Sequence, residues 1–222
     1  MDEILQQIRA DLRRSMNGIA SKSMREKGLH YKLNFGVDVP RLRELSKRYP
    51  VDAQLAELLW VQETRELKIL ATMLYPVHEF DMDKADKWVK EISNHEIREQ
   101  VSMNLFQKLD FADKLVQIWT DSVDQEIRTS GYWLFARLLI VKSDLINQIN
   151  KNEIMEKMIL DLSAGSYFLR LSAQRALTFL GRTAESFSKK IMEGIQNFQT
   201  SDDAAKKEIF DSLNFEFTDF PD

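Results

Sequence analysis

The chain has 222 residues, of which 44% are hydrophobic and 30% charged, as in globular proteins and unlike disordered chains. It contains no cysteine, which excludes disulfides, thiolate metal sites and cysteine nucleophiles. The charged, amphipathic N-terminus does not resemble a signal peptide, and no apolar run reaches transmembrane length. We therefore expect a cytoplasmic protein without a membrane partner.

The net charge of −4 is unevenly distributed along the chain. Residues 1–50 hold eleven Lys and Arg against six Asp and Glu, whereas from residue 201 onward two Lys stand against seven Asp and Glu. The chain thus has a basic N-terminal part and an acidic C-terminal part. We interpret the acidic part as an aid to solubility; the alternative is that it folds back onto the basic part and competes with a ligand there.

Apolar residues recur with helical spacing nearly throughout, and Pro, Gly and Asp mark the breaks between segments. The pattern predicts helices, in chain order, at 2–14, 16–26, 40–48, 52–60, 63–75, 82–92, 95–108, 111–119, 124–141, 143–150, 151–162, 167–180, 182–197 and 203–213. No strand is predicted. The final segment LNFEFTDFPD alternates as a strand would, but it is acidic and terminal, so we interpret it as a docked extension.

Four of the predicted helices begin alike, with TRELKILATML, EIREQVSMNLF, EIRTSGYWLFA and FLRLSAQRALTF. Their arginines are separated by 33, 30 and 42 residues: Arg65, Arg98, Arg128 and Arg170. Helix pairs at such a period are typical of HEAT and armadillo repeats, whose stacking produces a concave face. We therefore predict an all-α superhelix, an α-solenoid of HEAT-like antiparallel helix pairs; a plain helical bundle is the alternative.

We expect this solenoid to be a single domain covering residues 1–222. Within it, residues 1–50 form basic N-terminal helices, residues 51–200 form the helix-pair repeats, and residues 201–222 form the acidic C-terminal extension.

Motifs for catalysis or cofactor binding are absent from the sequence. The three histidines are isolated, and there is no GxSxG elbow, phosphate-binding loop or dinucleotide fingerprint. The segment DMDKAD lacks the glycine and distal glutamate of a calcium loop, and we interpret its acids as the first turn of a helix. We therefore predict neither a metal site nor a cofactor.

An arginine near the start of the second helix of a repeat often pairs with an acid of the neighbouring repeat, and we interpret the four arginines mainly in this way. Arg128 is the candidate for a further role, because Tyr132 lies one turn after it with Trp133 alongside. An arginine with aromatic neighbours can hold a phosphate and lie against a base or sugar. The alternative for both aromatic residues is a place in the core.

The segment REKGLHYKLNFGVDVPRLREL, residues 25–45, differs from the helical remainder because it is basic and interrupted by glycine and proline. Asp38 is predicted to cap a new helix with Pro40 near its start. Backbone N–H groups at such a helix start, flanked by cations, can hold a phosphate. The segment is thus a candidate edge of a nucleic-acid cleft, or alternatively a solvated charged face; its cations and those just beyond are Arg25, Lys27, Lys32, Arg41, Arg43, Lys47 and Arg48.

The same segment carries a resemblance to a known family. Its order of Met24, Phe35, Gly36, Val37, Pro40 and Arg43 is followed by Leu59, Trp60, Glu63, Arg65 and Glu66. This order, with the later helix pairs, resembles the DNA alkylation repair family of HEAT-like DNA glycosylases over nearly the whole chain.

The resemblance implies an all-α solenoid that holds double-stranded DNA, alkylated or abasic, in a basic concave cleft. Active members hydrolyse the N-glycosidic bond of N3- or N7-alkylated purines without metal or cofactor. The alkylated base is a cationic leaving group, a carboxylate stabilises the oxocarbenium-like sugar, and aromatic faces attract the cation.

Carried over residue by residue, the family's arginine corresponds to Arg128. Its Trp and Asp correspond to positions near Ile97 and Val101, and its last Trp to a position near Gln174, so these three residue types are missing. Glu96 and Glu99 are the nearest carboxylates, so the candidate catalytic residues are Arg128, Glu96 and Glu99. The resemblance also implies that Arg170 and Arg175 contact phosphates together with the basic segment. We expect a monomer; the alternative to a DNA-binding protein is a HEAT-like scaffold for a protein or peptide.

Overall fold

The computed structural model describes residues 2–218, and it confirms the all-α class. The described α-helices are α1 Asp2–Arg14, α2 Gly18–Glu26, α3 Val39–Ser46, α4 Ala53–Trp60, α5 Arg65–Leu74, α6 Met82–Lys90, α7 His95–Asn104, α8 Ala112–Thr120, α9 Gln125–Ile140, α10 Lys151–Asp161, α11 Tyr167–Gly181, α12 Glu185–Gly194 and α13 Ala204–Thr218. Short 3-10 helices cover Val77–Glu79, Phe106–Lys108, Asp144–Gln148 and Gln196–Phe198. Within these residues no helix is long and apolar enough to cross a membrane.

Four predicted elements differ from the observed ones, and one of them, predicted at 182–197, is α-helical only over Glu185–Gly194 and is followed by the 3-10 helix Gln196–Phe198. The helix predicted at 95–108 ends at Asn104 and gives way to a 3-10 turn, and the segment 143–150 forms a 3-10 helix in place of an α-helix. The last helix continues to Thr218, so LNFEFT is helical although its apolar residues alternate. A helix satisfies its backbone hydrogen bonds locally, whereas an extended segment here has no partner strand among the described residues. The rest of the predicted extension, residues 219–222, lies outside the described residues.

The contacts divide the chain into two compact units, one of residues 1–84 and 92–109 and the other of residues 85–91 and 110–222. In the first unit, α5 packs against α4, α3 and α7. In the second unit, α9 packs against α8 and α11, and α11 also packs against α10, α12 and α13. Consecutive helices thus form pairs, and the second helix of one pair packs on the second helix of the next. The division into one repeat domain with basic and acidic ends stays a prediction.

Each unit has a core of its own, with large side chains fully removed from solvent. Trp60 is buried in the first unit, and Trp88 and Trp119 are buried in the second. The pair α8 and α9 approaches closely at Gly131, where a Cβ atom would lie 2.8 Å from the backbone nitrogen of Thr120. The small residues in the repeated segments therefore permit close helix packing.

The basic segment folds as an irregular connection between α2 and α3, and Gly36 is its tightest point. Its φ angle is +72°, in the left-handed region, and a Cβ atom there would lie 2.1 Å from the carbonyl oxygen of Asn17. The backbone N–H of Asn17 donates to the carbonyl of Phe35 at 2.9 Å. The start of α2 and the segment around Gly36 thus fit together only without a side chain.

We expect Gly36→Ala to lower the free energy of unfolding by about 2–4 kcal/mol, because it combines backbone strain with a clash against backbone atoms. Gly28 is the matched control, since its φ is +84° but a Cβ there meets nothing within 4 Å. Gly28→Ala should cost only the strain, about 1–2 kcal/mol. Urea unfolding of both variants measures the difference, and equal losses would contradict the proposed close approach.

Candidate nucleic-acid interface

A buried ion pair fixes the basic segment onto α5. Glu66 is fully buried and accepts hydrogen bonds from the backbone N–H groups of Phe35 at 3.1 Å and Val37 at 3.2 Å. Arg65, which is 1% exposed, places Nη1 3.0 Å from Glu66 and 2.6 Å from the carbonyl oxygen of Val37. The irregular connection before α3 is therefore held by charge-assisted hydrogen bonds from one helix.

The same arginine holds Glu96 at the start of α7. Its Nε and Nη2 atoms donate to the Glu96 carboxylate over 2.7 to 3.0 Å, and the hydroxyl of Tyr31 donates to it at 2.6 Å. Burial, followed by the charge of Glu96, raises the pKa of Tyr31 above its ordinary value. Of the two carboxylates predicted as catalytic, Glu96 thus belongs to a structural network, whereas Glu99 lies on α7 with Oε1 3.4 Å from Nε2 of His95.

The positions that correspond to the family's missing catalytic residues contribute to packing. Ile97 and Val101 have no exposed surface and belong to the core of the first unit. Gln174 of α11 donates to the hydroxyl of Ser212 on α13 at 3.0 Å. Neither place offers a carboxylate or an indole to a ligand.

The predicted cations of the basic segment divide into two groups. The first group contacts protein atoms: Lys32 pairs with Glu63 at 2.8 Å, Lys47 pairs with Glu44 at 2.7 Å, Arg48 lies 3.8 Å from Asp11, and Arg25 donates to the Ser21 hydroxyl at 3.0 Å. The second group, Lys27, Arg41 and Arg43, is exposed and makes no ion pair within residues 2–218, although Arg41 donates through Nε to the Ser15 hydroxyl at 3.4 Å. The second group is the part of the segment that has charge to offer a ligand.

A cation that sequence reasoning missed lies beside Arg43. Burial and then the positive charge of Arg43 lower the pKa of Lys108, which ends the 3-10 helix after α7. Neither side chain forms an ion pair with a carboxylate of the described residues. Two like charges held together in this way favour an anion between them. No sequence signal links the two, because they lie far apart in the chain.

In the second unit, Arg128 is held by an acid of the next helix pair. Its Nε and Nη2 atoms donate to Asp161 at 2.7 and 3.1 Å, and Nη1 donates to the carbonyl oxygen of Ser122 at 2.8 Å. Tyr132 is fully buried and its hydroxyl donates to Asp161 at 2.7 Å. Arg128 therefore pairs as a repeat arginine does. The burial of Tyr132 corrects its predicted contact with a nucleotide, because a central helix packed on two sides leaves that face no solvent.

Arg175 on α11 lies over aromatic rings at the surface. Its guanidinium carbon is 4.8 Å from the ring centroid of Trp133 and 5.9 Å from that of Phe179. Trp133 itself is 4% exposed, so the arginine covers it, and the predicted contact of this indole with a nucleotide is corrected as well. Burial and then the charge of Arg175 lower the pKa of Arg137 on α9. Two guanidinium groups therefore lie close together on the packed helices α9 and α11.

The stretches around these arginines contain no acid at all. Residues 127–143 and 162–184, which include most of α9 and all of α11, carry five Arg and one Lys and neither Asp nor Glu. Three of the five arginines contact protein atoms outside these stretches or at their ends: Arg128 pairs with Asp161, Arg170 donates to the carbonyl of Ala164 at 2.6 Å, and Arg182 pairs with Glu216 of α13. Within residues 2–218 no group of three or more His, Asp or Glu could hold a metal ion.

A family model described as DNA alkylation repair enzyme matches residues 8–138, more than half of the chain. The chain belongs to this family. Among solved structures, it is similar to one from "a new family of proteins related to the HEAT-like repeat DNA glycosylases with affinity for branched DNA structures", with a TM-score of 0.76 and 15% identity over 94% of this chain and 93% of that one. This likeness confirms the predicted HEAT-like solenoid fold.

A looser likeness joins the chain to a designed armadillo repeat protein in complex with the peptide (KR)4, with a TM-score of 0.44 and 14% identity over 80% of this chain and 91% of that one. Among curated proteins, none matches the chain.

We expect Arg65→Met to lower the free energy of unfolding by about 3–5 kcal/mol, because it leaves the buried Glu66 and the partly buried Glu96 without their cation. Lys32→Met is the matched control, since it removes the cation of an exposed pair, and it should change stability little. Denaturant unfolding followed by circular dichroism measures both. A loss no larger for Arg65→Met than for Lys32→Met would contradict the role of the buried network.

We expect the free energy of unfolding to depend on pH through the ionisation of the Tyr132 hydroxyl. Burial and then the hydrogen bond to Asp161 raise its pKa above the ordinary 10.0. Because the pKa is raised in the folded chain, the stability contributed by this group is fully present below about pH 10 and is lost as the pH rises further.

The stability advantage of wild type over Tyr132→Phe should therefore be roughly 1.4 kcal/mol smaller at about pH 11 than at about pH 8. Urea unfolding at the two pH values gives the comparison. An advantage that stays constant with pH would show that Tyr132 ionises as readily in the folded chain as in the unfolded one.

Proposed function

We propose that this protein binds branched DNA and does not excise alkylated bases. The observation that carries the proposal is the pair of acid-free stretches on α9 and α11, where arginines concentrate in a chain of net charge −4. Binding to the phosphate backbone depends on local clusters of Lys and Arg and does not require a basic protein. The preference for branched DNA is supported by the affinity attributed to the similar solved structure.

Two pairs of cations are the proposed phosphate contacts, one in each unit. The charge of Arg43 lowers the pKa of Lys108 in the first unit, and the charge of Arg175 lowers the pKa of Arg137 in the second, so each pair is close enough to interact electrostatically. A phosphate near such a pair relieves the repulsion between the two positive charges, which favours binding. The exposed Lys27 and Arg41 are further candidate phosphate contacts, whereas Lys32 and Lys47 contribute less because each already has a carboxylate partner.

The absence of base excision is proposed from the carboxylates. Glu96 and Asp161, which belong to α7 and α10, each accept hydrogen bonds from an arginine and from a tyrosine. An anion held in this way must give up those bonds before it can stabilise a sugar cation or activate water. The side chains at the family's catalytic positions, Ile97 and Val101, cannot supply that charge.

Binding to a four-way junction and to a linear duplex of the same sequence, at two salt concentrations, tests the proposal. We expect tighter binding to the junction and a steep loss of affinity with salt. Arg175→Ala, and separately Lys108→Ala, should weaken binding and reduce the slope of log affinity against log salt by about one. Lys189→Ala, which removes an exposed lysine paired with Glu185 at 2.7 Å, is the matched control and should change neither.

Release of 7-methylguanine from alkylated DNA is assayed in the same samples, with a duplex containing an abasic-site analogue beside it. We expect no release and no preference for the abasic duplex over the junction. Base release by wild type would overturn the non-catalytic part of the proposal. Failure to bind any of the DNAs would overturn the proposal as a whole and favour a protein or peptide partner.

A further inference from the structure

Two aromatic side chains stand exposed at the start of α11. Tyr167 is 62% exposed and Phe168 is 39% exposed, and their rings meet edge to face with centroids 5.3 Å apart. Of the other aromatic residues within residues 2–218, only Phe215 is classed as exposed. Leaving a large apolar side chain in water forfeits the stabilisation that burial provides. Two adjacent exposed aromatic rings, in a chain whose other described aromatic residues apart from Phe215 are buried or partly buried, therefore mark a contact surface.

The segment that carries this pair is held in place by several hydrogen bonds. The hydroxyl of Ser166 caps α11 by accepting from the backbone N–H of Leu169 at 3.4 Å. Arg170 donates through Nη1 to the carbonyl oxygens of Ala164 at 2.6 Å and Gly165 at 3.1 Å. These hydrogen bonds order the turn before α11. The backbone that carries the two rings therefore loses little conformational entropy when a ligand binds.

The charge around the aromatic pair indicates what the pair contacts. Residues 162–184 contain three arginines and no acid. Arg175 follows Phe168 by seven residues, which places both on one face of the helix about 10 Å apart along its axis. Exposed aromatic rings beside cations are the combination that binds nucleic acids by stacking on bases and pairing with phosphates. Binding of a protein partner through an apolar surface would not require arginines next to the aromatic pair.

The site of stacking follows from the structure of DNA. In a continuous duplex the bases are paired and stacked on one another, so their faces are closed to a side chain. At a branch point the stacking of the arms is interrupted, and base faces become accessible. This reasoning rests on the proposed binding of branched DNA and adds the residues that recognise the branch.

We propose that Tyr167 and Phe168 stack on the bases exposed at a DNA branch point while Arg175 contacts a phosphate of the adjoining arm. The aromatic pair distinguishes a junction from a linear duplex, and the cations of α9 and α11 bind the backbone of either. Recognition of the branch and attraction to the backbone are thus separate properties of neighbouring residues.

The test compares wild type with Tyr167→Ala/Phe168→Ala on a four-way junction and on a linear duplex, each carrying 2-aminopurine at the branch point or at the equivalent central position. We expect the double variant to lose at least about tenfold in junction affinity, the effect of removing base stacking. Its affinity for the linear duplex and its salt slope should be unchanged, because the cations remain. Wild type should change the fluorescence of the branch-point base, and the double variant should not.

Two further variants separate stacking from other effects. Tyr167→Phe/Phe168→Tyr keeps both rings and should retain junction affinity. Phe215→Ala removes the exposed phenylalanine of α13 and should bind both DNAs as wild type does. Because all substituted side chains are exposed, thermal unfolding should be little changed in each variant.

Several outcomes would overturn the stacking. If wild type prefers the junction and the double variant binds it equally well, the stacking fails while the proposed function stands. If the double variant loses affinity for both DNAs alike, the pair serves general binding and the branch assignment fails. If wild type binds no DNA, the proposed function fails as well. A wild-type dimer that becomes a monomer in the double variant would assign the pair to self-association.

Discussion

The buried charge network of Arg65, Glu66 and Glu96 is the constraint on which the first unit depends. A carboxylate without exposed surface is tolerated only with a cation and hydrogen bonds, and Glu66 obtains both from Arg65 and from the backbone around Gly36. Through Val37 the network fixes the segment that leads into α3, and through Glu96 it fixes the start of α7. Arg43 lies on α3 and Lys108 follows α7, so the network that ties both helices to α5 also brings this cation pair together.

The second unit repeats the device with other residues. Asp161 of α10 receives Arg128 and Tyr132 from α9, as Glu96 receives Arg65 and Tyr31. The arginines at helix starts are thus used inside the fold, and the mid-helix arginines of α9 and α11 lie nearer the surface. The ion pairs made by the arginines at helix starts stabilise the stacking of neighbouring helix pairs. They also engage the carboxylates of Glu96 and Asp161, and glycosidic hydrolysis would require a carboxylate.

The sequence predicts what is local or periodic, and the structure adds what depends on distant partners. Helical spacing and the repeated arginines were sufficient for the fold class, because neighbouring helix pairs bury similar faces. The alternation of apolar residues in LNFEFT led to a wrong prediction of a non-helical extension. The alternation covers so few residues that it also occurs by chance on a helix. The burial of Tyr132 escaped because α9 packs against helices on two sides, so its apolar residues do not mark one face. The pairing of Arg43 with Lys108 joins two chain segments, and no spacing rule reaches that far.

The net charge of this protein does not describe the charge at any one place on its surface, because acidic and basic residues are concentrated in different segments of the chain. Salt screens exposed charges over about 10 Å, so an anion on the surface experiences the nearby side chains and not the sum over the chain. The acidic C-terminal helix α13 packs on α11 and α12, and its Glu216 pairs with Arg182 at the end of α11. The same helix reaches the middle of α11, where Gln174 donates to the Ser212 hydroxyl at 3.0 Å, whereas Tyr167 and Phe168 at the start of α11 are exposed. The helix α13 therefore neutralises the end of the cationic stretch at Arg182, and the start of α11 keeps two exposed aromatic rings in a segment without acids.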